Sequence, residues 1–134
     1  MKNLIYIILS LLIIGIFLFV IVLNLPKATT KNKAATIELD AIELLDDFIA
    51  SEINANKKYI GKIIEVQGII SRIEKDKKGS SVIMLKTNDK IKSILCTMEN
   101  EPKGLAAGQQ VKIKGICNGY LLDVVLNRCN LVKS

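Results

Sequence analysis

A chain of 134 residues has room for one folded domain, and its formal charge of +6 is unevenly spread. Residues 37–56 carry six acids and no base, whereas residues 57–134 carry fifteen bases against seven acids. The absence of histidine removes histidine triads, histidine general bases and the commonest metal ligand, and three cysteines are too few for a structural zinc site, which takes four ligands.

The first element is Leu4 to Leu23, a run without a charged residue whose polar side chains are Tyr6 and Ser10. As a helix it spans about 30 Å of hydrocarbon, whereas a cleaved signal has an apolar core of only about 7–15 residues. Asn24-Leu25-Pro26-Lys27 makes a poor cleavage site, and no cysteine precedes Cys96 to accept a lipid. Residues 1–25 are therefore expected to form an uncleaved transmembrane anchor. Lys27, Lys31 and Lys33 follow the helix, and Lys2 and the amino terminus precede it. Counted strictly, that margin of one charge places the rest of the chain in the cytoplasm. A short basic start before an apolar core has instead the form of a secretory signal-anchor, and the expectation taken is the outer face of the membrane.

Residues 26–35, with Pro26 and three lysines, read as a solvated linker, and residues 36–134 as the folded domain. Thr36 is a candidate N-cap, with Glu38 and Asp40 in the first turn where the helix dipole favours anions. Ile37, Ala41, Leu44, Leu45, Phe48, Ile49 and Ile53 recur at helical spacing and predict one amphipathic helix that packs on the rest of the domain and plugs one end of it. Tyr59 to Ile73 is dense in β-branched residues and reads as a long first strand, with Gly68 where it bends or another backbone approaches. Strands are expected over Ser81 to Thr87, Ile91 to Met98, Gln110 to Cys117 and Leu121 to Val132, with turns at Asp76-Lys77-Lys78-Gly79-Ser80, Asn88-Asp89-Lys90 and Asn118-Gly119. The fold class is mainly β: a helix and then five strands, interrupted between the third and fourth, predict the five-stranded OB-fold barrel.

Phe48, Glu52, Ala55-Asn56, Tyr59, Gly61-Lys62, Val66, Gly68 and Ile73 carry a resemblance. So do Cys96, Leu105, Gly108, Val111, Lys114-Gly115, Cys117, Gly119, Asp123-Val124, Leu126 and Cys129. Over about residues 36–133 the chain resembles the bacterial tRNA-anti-like family of OB-fold proteins, often exported or tethered to the envelope. The resemblance implies a barrel held at the bacterial cytoplasmic membrane, here by a helix rather than a lipid.

In OB barrels a ligand crosses the second and third strands, flanked by the loops between strands one and two and between four and five. Those places hold Lys75, Lys77, Lys78, Lys86, Lys90, Lys92 and Tyr120. Lysines contact phosphates and an exposed aromatic stacks a base. Single-strand binders usually carry several such aromatics, and residues 36–134 contain Phe48, Tyr59 and Tyr120, of which the first two are expected in the core. Two functions stay open: single-stranded nucleic-acid binding, and a structural or protein-interaction role in the envelope, with oligosaccharide a third ligand class. No acid pair is marked out for catalysis, so no enzyme, cofactor or metal site is expected; Glu65 is read as facing solvent and Asp123 as a turn residue. Three pairings of the cysteines are open by count. In an OB barrel the third and fifth strands run parallel as neighbours, which selects Cys96–Cys129 as the disulfide candidate, with Cys117 expected at the opposite end of the barrel.

Overall fold

The computed structural model describes residues 1–24 and 30–133. α1 is Lys2–Leu23, with every side chain exposed. At 1.5 Å per residue it is about 33 Å long, and it is long and apolar enough to cross a membrane.

Five strands close the barrel: β2 (Ile63–Lys75), β3 (Ser81–Leu85), β4 (Ile94–Met98), β5 (Gln110–Tyr120) and β6 (Val124–Leu131). They pair in the order β2-β3-β4-β6-β5, and β5 returns to β2. Strict alternation decides the two sides: Ile83, Leu85, Ile94, Cys96, Ile113, Val124 and Leu126 point inward and are fully buried. The connection between β4 and β5, residues 99–109, is a loop.

The start of the domain departs from the predicted single helix. Ile37–Asp40 is a short strand, β1, paired in parallel with Ile64 to Gln67 of β2. Ile37 and Leu39 satisfy a period of two as well as a helical period, and the free edge of β2 supplies the backbone partners that select the strand. Thr36 is therefore not a helix cap; its N–H donates to the carbonyl of Ile63 at 2.7 Å. Asp40 caps instead, accepting from the N–H of Ile42 at 3.0 Å, and α2 runs Ala41–Ala50. Ser51 breaks the helix and caps α3, Glu52–Tyr59, so Tyr59, expected to open the first strand, instead ends a helix. That break turns Ile53 out of the apolar stripe: Ala41, Leu44, Leu45 and Phe48 are buried, whereas Ile49 and Ile53 are exposed. Gly68 has the role its position suggested. A Cβ there would stand 3.0 Å from the Cβ of Ala41 and 3.3 Å from that of Leu85, so glycine lets the first turn of α2 sit on the strand.

Phe48 centres the plug. Its ring lies 5.9 Å from the ring of Tyr59 and 5.7 Å from that of Tyr120. Tyr59 is buried, and its hydroxyl donates to Asp47 Oδ2 at 2.5 Å, where Lys58 Nζ also donates at 2.8 Å. The bonds from Lys58 and Tyr59 hold the Asp47 carboxyl below its ordinary 3.8. A carboxylate depressed on folding adds stability above its unfolded pKa and loses it as pH falls through the folded value. We expect a loss of stability setting in below about pH 4, part of which disappears in Asp47→Asn; urea titrations over the acid range read both.

Strand ends also shift: β2 runs Ile63–Lys75 rather than Tyr59 to Ile73, and β3 stops at Leu85 rather than Thr87. β4 starts at Ile94 rather than Ile91, because Asp89 Oδ1 accepts from the N–H groups of Ile91 (2.7 Å) and Lys92 (3.0 Å) and keeps them in the loop. Asn118-Gly119 is not the hairpin turn: β5 runs on to Tyr120 with a register shift at Gly119, and the turn is Leu121 to Asp123. Asp123 is a turn residue as read, its Oδ1 accepting from the N–H (2.6 Å) and hydroxyl (2.9 Å) of Ser93. Glu65 does not face open solvent: its side chain is 12% exposed and lies 3.5 Å from Lys112 Nζ.

Part of the assigned linker is packed rather than solvated; its residues 26–29 lie outside the described residues, as does Ser134. Thr30 is buried, donating its hydroxyl to the carbonyl of Arg128 (2.5 Å) and accepting from Asn130 Nδ2 (3.0 Å). Lys114 Nζ donates to the carbonyls of Lys31 (3.1 Å) and Lys33 (2.6 Å). Arg128 has φ +52, at a bulge in β6 that presents its carbonyl to Thr30.

Cys96, Cys117 and Cys129 are buried free thiols. β4 and β6 are parallel neighbours, with Cys96 beside Leu126 and Cys129 beside Met98. The nearby Cys96 thiol and burial push the Cys129 thiol well above its usual value, and burial pushes Cys117 up. Cys117 is not at the opposite end: it pairs with Leu126, which pairs with Cys96, because β5 continues three residues past it.

Candidate ligand-binding face

The outer side of β3, β4 and β6 is a half-buried sheet face. Met84 lies beside Leu95 and Leu95 beside Val125, forming one row, and Val82 lies beside Thr97 in the next. β2 borders it with Arg72 and Glu74, which are paired at 3.0 Å. The centre of the face is thus apolar, with Thr97 and Asn127 toward one end.

At that end stands the β2–β3 turn. Asp76 Oδ1 accepts from the N–H groups of Lys78 and Ser80, both at 2.8 Å, and Gly79 takes φ +83 to close the turn. This fold holds Lys77 and Lys78 at the rim of a groove of about 710 Å³, whose floor and far wall include Thr97, Asn127 and Arg128. Lys75 lies nearby but is paired with Glu101 at 2.5 Å.

At the other end is the β3–β4 loop. A second groove of about 520 Å³ is lined by Arg72, Met84, Lys86, Lys90 and Lys92 among others. The loop is fixed by Asp89, whose bonds to the Ile91 and Lys92 N–H groups hold its carboxyl below the ordinary range, by the Thr87 hydroxyl donating to the Lys92 carbonyl (2.6 Å), and by Asn88 reaching Asp46 on α2 (3.1 Å).

The structure therefore brings the sequence candidates together as two groups, Lys77 with Lys78 and Lys86 with Lys90 and Lys92. The five-residue β3 separates them, roughly 13 Å of strand. Among the described residues Lys77, Lys78, Lys86 and Lys90 make no ion pair. Tyr120 is not a free stacking platform. It is half-buried against Phe48, and Lys92 Nζ lies 5.5 Å from its ring centre; its hydroxyl raises the Lys92 pKa. Sequence reasoning missed Arg128 and Asn127 on the groove wall. The signal was there: Asn127-Arg128 interrupts an otherwise apolar strand just where the bulge forms.

A model of the tRNA_anti-like family matches residues 1–131. The chain belongs to the tRNA_anti-like family. The match begins at the first residue and so takes in α1 as well as the barrel. Among solved structures, this family member is similar to a lipoprotein of Klebsiella pneumoniae to which nucleic-acid binding has been provisionally ascribed. The two are 21% identical with a TM-score of 0.59, over 73% of this chain and 93% of that one. A protein of Leishmania major provisionally described as an aspartyl-tRNA synthetase matches at 14% identity and a TM-score of 0.47, over 82% of this chain and 23% of that one. No curated protein matches the chain. At 21% identity the likeness to the Klebsiella protein is one of fold.

Proposed function

We propose that the chain is a membrane-anchored, non-catalytic OB-fold binding module that holds single-stranded nucleic acid by its phosphates along the β3–β4–β6 face. The observation that carries this is the placement of unpaired lysines at both ends of that face, with the neighbouring acids engaged elsewhere. Glu74 is paired with Arg72, Asp76 is bonded into its own turn, and Glu99 accepts from Asn130 Nδ2 at 2.8 Å. The Klebsiella protein, a lipoprotein with nucleic-acid binding ascribed to it, supports the same class of protein. With Tyr120 committed to Phe48, base stacking contributes little, so binding should be weak and indifferent to sequence.

The test is a salt series with the full chain in nanodiscs and short single strands. Phosphate contacts release counterions, and four lysines give a slope of log K on log salt of about −3. Lys77→Glu and Lys78→Glu combined with Lys86→Glu and Lys90→Glu should abolish binding. Absence of saturable binding at low salt would favour the second reading, a protein-interaction module, for which the apolar centre of Val82, Met84, Leu95 and Val125 speaks. We propose that the domain lies on the outer side of the cytoplasmic membrane. A C-terminal reporter active only in an oxidising compartment should work, and activity of a cytoplasmic reporter at that position instead would reverse the orientation. On that side, Cys96 and Cys129, on the parallel neighbours β4 and β6, are the pair that closes on oxidation; thiol counting in denaturant should then fall from three to one.

A further inference from the structure

The most exposed large apolar side chains of the barrel are gathered in one place. Ile91 is 90% exposed, Leu121 88% and Leu122 76%. They sit on two loops, β3–β4 and β5–β6, that are joined: Asp123 accepts from Ser93, and the N–H of Val124 donates to the Ser93 carbonyl at 3.2 Å. The bonds from Asp89 and Thr87 to the Ile91–Lys92 backbone fix the first loop, so these side chains are held out in water by a built framework. Lys86, Lys90 and Lys92 stand on the same loop, while Asp89 and Asp123, the acids nearest the tips, are turned into backbone and side-chain bonds.

We infer that this pair of loop tips is a second membrane contact: Ile91, Leu121 and Leu122 enter the interface of the bilayer that holds α1, and Lys86, Lys90 and Lys92 meet its anionic headgroups. Apolar side chains flanked by lysines on the adjoining loop match both layers of an anionic membrane surface at once, whereas a protein partner accounts for the leucines without requiring the lysines. The tether keeps that surface within reach. Asn24 ends α1 and Thr30 is docked at Arg128. The residues between them reach about 20 Å when extended. Arg128 is four residues along β6 from Val124 at the loop end, about 13 Å of strand, which is less than that reach. Lys86 and Lys90 serve both surfaces in turn: anionic lipid competes with the strand for them, and all four lysines of the face meet a ligand when the loops are off the membrane. The inference does not depend on what that ligand is.

The chain has no tryptophan, so one introduced residue is a clean reporter. Leu122→Trp and, as a comparison on the loop between β4 and β5, Lys103→Trp are each placed in the full chain and reconstituted into bilayers containing phosphatidylglycerol. The expected result is a blue-shifted Leu122→Trp emission, quenched by lipid brominated near the headgroup and several-fold less accessible to aqueous acrylamide than Lys103→Trp. Adding Lys86→Glu, Lys90→Glu and Lys92→Glu should restore acrylamide access. A Leu122→Trp reporter as open to acrylamide as Lys103→Trp, or bromolipid quenching confined to Lys103→Trp, overturns the proposal. Because these readouts need no nucleic acid, their failure is separate from failure of the salt series.

Discussion

Phe48→Ala is expected to cost about 3–5 kcal/mol, against a total of about 5–15 kcal/mol for a domain. The ring is buried, touches both Tyr59 and Tyr120, and is the member of α2 that reaches across the open end of the barrel. Its loss leaves a cavity under two helices too short to hold their own shape, since an isolated helix of fewer than about 12 residues is marginal in water. Urea denaturation should show the midpoint falling, with exchange of the α2 and α3 amides quickening first. A drop under about 1 kcal/mol would mean that the helices do not plug the barrel.

Gly115→Ala is the second large effect. A Cβ at that position would lie 2.5 Å from Cys129 Sγ and 3.1 Å from the Asn127 carbonyl oxygen, so the β5–β6 pair must spread or the sulfur must move. Overpacking of this kind costs about 1–3 kcal/mol. Cys129→Ala removes the sulfur, and the double variant should be less destabilised than the sum of the two single ones. Strict additivity would show that the sulfur is not what glycine makes room for.

The features legible in the sequence are those with local signals. Alternation of apolar residues marks the five barrel strands and the inward set, and the parallel β4–β6 neighbours result from barrel closure, which puts Cys96 and Cys129 on adjacent strands. The stretch Ile37 to Asp40 is ambiguous because four residues fit two periods equally, and the partner that decides, the edge of β2, is some 27 residues away. The β5–β6 turn is misplaced by its sequence because Asn118-Gly119 is a strong turn signal that here serves a register shift inside a strand. For the site, the lysines are visible as charges, but their division into two groups depends on β3 standing between two loops. The commitment of Tyr120 to Phe48 joins residues 72 apart, and nothing near Tyr120 in the chain announces it.

The most direct test of the binding face is methyl NMR of the full chain in nanodiscs, titrated with a short single-stranded oligonucleotide at low salt. The outward methyls of Val82, Met84, Leu95 and Val125 should shift together and saturate, while the core methyls of Leu44 and Ile113 stay in place. Saturable binding that moves other methyls and leaves those four unchanged would contradict the assignment of this face.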